Sequence, residues 1–259
     1  MSVDSPEQVD GLNRVGRVVA ETIAAVRRAA VPGVTTGDLD AVAQGVFDRR
    51  GARSGPVLTY RYPGAICLSV DTEIVHGIPG AKRLRQGQLL TIDVAAEFDG
   101  FHADAATTIP IGQVPGPSHR LLAAGRAALQ AGIRAAQPGA TLRDVGAAIE
   151  RVTNARGFQV ARELTGHGIG LAMHEPPTVF NWPAPYRTAK RELTEGLVFT
   201  IEPMIVAGYP SLLTQSDGWT VRDGGGALST HEEHTVMVCP DGPLVLTAPE
   251  ANSEPRTLP

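Results

Sequence analysis

Cysteine is scarce in this chain: Cys67 and Cys239 are the only two among 259 residues. A disulfide framework is therefore excluded as the source of stability, and a reducing, cytoplasmic setting is expected. Basic charge is not in excess either. The 23 Lys and Arg against 27 Asp and Glu give a formal net charge of −4, so there is no broad cationic surface for nucleic acid as main ligand. No apolar run approaches membrane-spanning length, and Asp4 stands where a signal peptide carries its basic region, so no membrane partner is expected. No linker or low-complexity segment divides the sequence. Residues 1–259 are expected to form a single domain, with peripheral tails at about 1–4 and 249–259 and no N-terminal extension domain. What is present, 42% hydrophobic and 19% charged residues, is enough for one large core or two small ones.

Ser5-Pro6-Glu7 opens like a helix, with an N-cap followed by Pro at the first helical position. Val9, Leu12, Val15, Val19, Ile23 and Val26 then recur at helical spacing until Pro32-Gly33. A second helix is predicted from Thr36 or Asp38 to near Gly51, with extended segments at Tyr62 to Val70 and Leu89 to Ile111. After the turn signals Pro115-Gly116-Pro117, helices are predicted over Leu121–Ala136 and about Leu142–Arg156. Short β-type runs follow at Phe158–Ala161, Leu197–Glu202 and Thr235–Cys239. Helix, helix, strands thus appears twice, and each half has a Pro-Gly pair followed by similar residues, Val34-Thr35-Thr36-Gly37-Asp38-Leu39 and Ala140-Thr141-Leu142-Arg143-Asp144-Val145. Duplicated α+β halves would explain this, and chance similarity of two short helix starts is the competing account.

Asp99-Gly100 between β-type runs predicts a two-residue turn, which pairs Phe98 with Phe101, Glu97 with His102 and Ala95 with Asp104. Asp93 lies two residues from Ala95 and so shares a face with Asp104, at a diagonal of roughly 7 to 8 Å. Two like charges side by side are costly to bury unless a cation lies between them. A solvent-facing hairpin side with ordinary acids is the alternative.

Three more residues stand in unusual contexts. His167 lies in Gly166-His167-Gly168-Ile169-Gly170, where glycine lets backbone and ligand come close. Glu202 ends the apolar run Leu197–Ile201 directly before Pro203, and Glu233 precedes the strand-like Thr235–Val238. His231-Glu232-Glu233-His234 is one residue short of the zinc-helix motif, and on a strand its two histidines would point to opposite faces, so that motif is rejected. Taken singly, each residue also has an ordinary structural reading.

Together, Ile92-Asp93, Phe101-His102-Ala103-Asp104, Gly166–Gly170, Phe199-Thr200-Ile201-Glu202-Pro203-Met204 and Glu233-His234-Thr235 resemble the ordered signature of type I methionine aminopeptidases. Val75-His76-Gly77-Ile78-Pro79 and Asp217-Gly218-Trp219-Thr220-Val221 extend the resemblance over nearly the whole chain. It implies the α+β pita-bread fold, in which two pseudo-symmetric halves, antiparallel β-sheet flanked by helices, enclose a dinuclear metal centre. It further implies that Asp93 chelates one ion, that His167 and Glu202 bind the other, and that Asp104 and Glu233 bridge them. Four carboxylates then balance two divalent cations. One imidazole among oxygens suits Mn²⁺, Fe²⁺ or Co²⁺ at least as well as Zn²⁺. The resemblance implies release of the initiator methionine from nascent polypeptides, near the ribosome, when the second residue is small. Glu202 would accept the proton of the attacking water, and His76 and His174 would contact the substrate amide.

Tyr62, Cys67, Met173 and Trp219 match the pocket-lining positions, and their sulfurs and rings suit a thioether. His102 shares the face of Asp104 and is a further candidate ligand, which the resemblance makes a neighbouring structural residue. Departures from the usual pattern are Val75, Asp71-Thr72-Glu73, Met173 and Glu232. They remove no ligand but put pocket shape, turnover and an optional monovalent cation in question. The rival readings are an Xaa-Pro aminopeptidase or dipeptidase of the same fold and a binding protein that has lost catalysis. A monomer is expected.

Overall fold

The computed structural model describes residues 1–249; the rest of the tail expected at 249–259 lies outside the described residues. Helix α1 spans Pro6–Ala29, with Ser5 Oγ accepting from the Gln8 amide as its N-cap. Its apolar stripe packs with helix α2, Thr36–Arg50, against the long hairpin of Leu89–Phe98 and Phe101–Pro110. The hairpin register is the one its turn chemistry dictates: Asp99 and Gly100 both take positive φ (52° and 83°), and Phe98 pairs with Phe101, Glu97 with His102 and Ala95 with Asp104. Cys67–Val70 pairs with the outer side of the Leu89–Phe98 strand, which places Cys67 opposite Asp93.

The second half repeats the plan. Helices α4, Gly116–Ala135, and α5, Leu142–Ala155, cover a five-stranded antiparallel sheet ordered Gly242–Val245, His234–Cys239, Val198–Ile201, Thr165–Gly168, Glu175–Phe180. The two short sequence matches are equivalent structures. Thr35 and Asp38 form a reciprocal capping box at the start of α2, and Thr141 and Asp144 form another at the start of α5. Ahead of each box the chain pairs with a distant leucine segment: Gly33 N donates to Leu84 O at 2.8 Å, and Gly139 N donates to Leu193 O at 3.0 Å. Asp93 follows Leu84 by nine residues, and Glu202 follows Leu193 by the same nine. Chance does not account for agreement in cap, pairing and spacing, so the halves are related by duplication, and Asp93 and Glu202 hold equivalent places.

Three elements differ from those read in the sequence. A short helix, α3, occupies Gly55–Tyr60, begun by Ser54 and Pro56; six residues are too few for periodicity to reveal it. Tyr62 to Ile66 is not extended, because Arg61 is left-handed (φ 58°) and the chain folds so tightly that a Cβ on Gly64 would lie 2.5 Å from Pro79. Helix α4 begins at Gly116 rather than Leu121, since Pro117 fits its first turn, where no amide donor is needed. At the other end, in the stretch expected to be peripheral, Ser2 bridges Leu197 and Val3 is buried.

Candidate metal centre

The hairpin, the Gly-rich strand and the two strand ends converge on one cavity of about 320 Å³ lined by Asp93, Asp104, His167, Glu202 and Glu233. Single atoms of Asp104, His167 and Glu233 lie within 4.8 Å of one another. Hydrogen bonds fix the backbone that carries Asp104, Glu233 and His167, and one carboxylate oxygen of Glu202. Thr235 Oγ1 donates to Asp104 O at 2.7 Å and accepts from Asp104 N at 2.9 Å, so one hydroxyl pins the hairpin to the strand after Glu233. Glu233 N donates to Ala106 O on the same hairpin. Thr200 Oγ1 donates to Glu202 Oε1 at 2.6 Å and accepts from His167 N at 3.0 Å.

His167 Nδ1 lies 3.0 Å from Gly168 O. A carbonyl can only accept, so Nδ1 carries the proton and Nε2 presents its lone pair to the cavity. The flanking glycines are required by space: a Cβ on Gly166 would come within 2.8 Å of Thr200 O, and one on Gly168 within 2.3 Å of Pro176 O.

Burial and mutual repulsion dominate the electrostatics. Burial pushes the Asp104 carboxyl well above the usual carboxylate range, and Asp93 and Glu202 add to the shift. Burial raises Glu233 in the same way, with Asp104, Glu202 and Asp93 behind it, and burial also raises Asp93. Glu202 is the exception: burial pushes it up, but His231, His167 and Thr200 outweigh burial and hold it below the ordinary Glu value. Asp104 Oδ1 is buried without a hydrogen-bond partner. A cluster of four carboxylates whose fixed oxygens include an unpaired one fits a bound divalent cation, which would supply the missing positive charge.

Around this centre stand the other expected residues. His76 opens onto the cavity from a left-handed backbone (φ 58°), and burial by the surrounding wall lowers its pKa. His174 faces His167, ring centroids 4.0 Å apart; burial, then the closeness of the His167 ring, pull its pKa down to about 4. Both imidazoles are neutral at neutral pH. Tyr62, Cys67, Met173 and Trp219 line the same cavity, Tyr62 meeting Trp219 edge-on at 5.2 Å and donating from its hydroxyl to Gly77 O at 2.7 Å. His102 is not among the lining residues.

Sequence reasoning missed two neighbours. Tyr60, on the unforeseen α3, reaches His174 Nδ1 at 2.8 Å. His231 projects into the cavity, with Nε2 3.6 Å from Glu202 and 3.8 Å from Glu233, while His234 turns away to Thr247. The strand reading of opposite faces was the available signal for these two histidines. Glu232 is buried beneath the hairpin. It accepts from Thr107 Oγ1 at 3.0 Å, and burial raises its pKa to about 7 against the pull of Arg126.

Residues 10–239 match metallopeptidase family M24. The chain is 35% identical to methionine aminopeptidase 2 of Bacillus subtilis over 249 residues, which cover 95% of this chain and 99% of the relative. Methionine aminopeptidase of Thermotoga maritima superposes with a TM-score of 0.92 at 30% identity, over 96% of this chain and 100% of that one. Prolidase from Pyrococcus furiosus, at 20% identity and TM-score 0.75, shares the fold, and the match covers 96% of this chain and 66% of the prolidase.

Proposed function

This chain belongs to metallopeptidase family M24, and we propose that it is a methionine aminopeptidase that removes the initiator methionine from nascent proteins and peptides when the second residue is small. Its pita-bread fold and its full-length likeness to enzymes of that name support the reading. One observation carries it: the acidic cluster shares its cavity with an apolar wall of Tyr62, Cys67, Met173 and Trp219.

Asp93 would hold one divalent ion, His167 and Glu202 the other, and Asp104 and Glu233 both. Ions held there supply Lewis acidity and lower the pKa of a bound water. Glu202, kept ionised by its imidazole and hydroxyl neighbours, is placed to accept a proton. Neutral His76 and His174 can each donate one N–H, which suits them to hold the peptide amide and to stabilise negative charge developing on its oxygen. The wall takes the methionine: Trp219 and Tyr62 offer ring surfaces, and Cys67 and Met173 offer polarizable sulfur to a thioether. A pocket of this kind discriminates against one misplaced methylene by only about 1 to 3 kcal/mol.

The substrate would be nascent chains emerging near the ribosome in the cytoplasm, met by a monomer acting through this single domain. No helix among the described residues is long and apolar enough to cross a membrane. The test is release of Met from a Met-Ala-Ser peptide with Co²⁺, Mn²⁺, Fe²⁺ or Zn²⁺, set beside Ala-Pro peptides. Met release supports the reading. Cleavage of Ala-Pro alone would replace it with an Xaa-Pro peptidase, and activity on neither, with metal bound, with a binding protein.

A further inference from the structure

His231 has no role in the five-residue ligand set, yet it is buried at 2% exposure and neither ring nitrogen has a hydrogen-bond partner. Burying an imidazole with both nitrogens bare is costly, and native structures rarely tolerate it without a reason. Its Nε2 points between two carboxylates, 3.6 Å from Glu202 Oε2 and 3.8 Å from Glu233 Oε2. These separations are too long for hydrogen bonds.

They come within a few tenths of an ångström of a different relationship. Two donor atoms each about 2.1 Å from one cation stand roughly 3 to 3.4 Å apart at right-angled to tetrahedral geometry. The site contains its own yardstick, because His167 Nε2 lies 3.6 Å from the other oxygen of Glu202. Glu202 is therefore flanked by two imidazoles at equal distance, one on each carboxylate oxygen.

We propose that His231 is a sixth protein donor of the metal centre, offering Nε2 to a cation shared with Glu202 and Glu233. The inference rests on the metal reading above and extends it from one imidazole to two. A second nitrogen shifts the preference of the site toward ions that favour imidazole, such as Co²⁺, Fe²⁺ and Zn²⁺, relative to Mn²⁺.

The test uses chelator-treated full-length protein titrated with Co²⁺, followed by calorimetry and by the visible absorption of the bound ion. His231→Gln keeps a side chain that can hydrogen-bond but is a poor donor to Co²⁺. The expected result is an affinity about tenfold or more weaker for one ion, a changed Co²⁺ absorption band, and an unchanged melting temperature without metal. Identical affinity and an identical band would overturn the proposal. Should the variant not fold, X-ray absorption of Co²⁺-loaded wild-type protein decides: two imidazoles per two ions support the proposal, and one overturns it. If wild-type protein bound no Co²⁺, the metal reading itself would fall, and this inference with it.

Discussion

The hydroxyl of Tyr60 lies 2.8 Å from Nδ1 of His174, and this contact leaves Nε2 as the nitrogen that faces the cavity. One exposed residue on a six-residue helix thereby orients an imidazole already kept neutral by its surroundings. Tyr60→Phe is expected to lower kcat for Met-Ala-Ser about three- to tenfold, the worth of one hydrogen bond, without changing metal affinity. Loss of metal in that variant would show that Tyr60 supports the ligand cluster instead.

The two hairpin acids have unequal places. Asp104 is buried at 5% exposure with an unpaired oxygen, whereas Asp93 is only half-buried and pairs opposite Cys67. Asp104→Asn should weaken the binding of both ions and Asp93→Asn mainly that of one. Metal content per chain after dialysis, read by elemental analysis, distinguishes the two patterns.

Crowded carboxylates destabilise the folded chain unless cations bind them. Saturating Co²⁺ or Mn²⁺ at about 100 times Kd should raise the melting temperature of chelator-treated protein by about 5 to 10 °C. An unfolding curve that metal does not move would contradict a cation site in this cavity.

The paired capping boxes predict paired losses. Thr35→Ala and Thr141→Ala should each lower the melting temperature by about 2 to 4 °C, and the double variant by the sum, because the boxes lie in separate halves. Differential scanning calorimetry of the three variants checks this, and strong non-additivity would mean that the two helix starts are coupled.

Glu97 gives a pH dependence of known sign. Burial pushes its carboxyl up, but Arg53 at 2.6 Å, the Gly100 amide at 2.8 Å and His102 outweigh burial and hold it below the ordinary value. A depressed carboxylate stabilises the fold above its unfolded pKa of about 4.3 and loses that contribution as pH falls through the folded value. The stability deficit of Glu97→Gln in urea unfolding should therefore be complete at pH 7 and fade on acidification below about pH 4. A deficit independent of pH would assign it to packing.

Short-range chemistry made much of the protein legible from sequence. Positive φ is cheap at Asp99-Gly100, so the turn type, the register and the shared face of Asp93 and Asp104 follow from local residues alone. Thr35 with Asp38 and Thr141 with Asp144 fix two helix starts for the same reason, since a cap is completed within four residues. The ordered ligand motif, read by resemblance, assigned Asp93, Asp104, His167, Glu202 and Glu233 to one centre. Tertiary structure alone decided the rest. Tyr60 meets His174 across 114 residues, and Thr235 grips Asp104 across 131. His231 gains its bare nitrogens and carboxylate neighbours only when the Ser229–His231 strand packs beneath the cavity. Sequence determines which groups a segment carries and which way its own backbone turns; which charges become neighbours depends on how two duplicated halves close over one another.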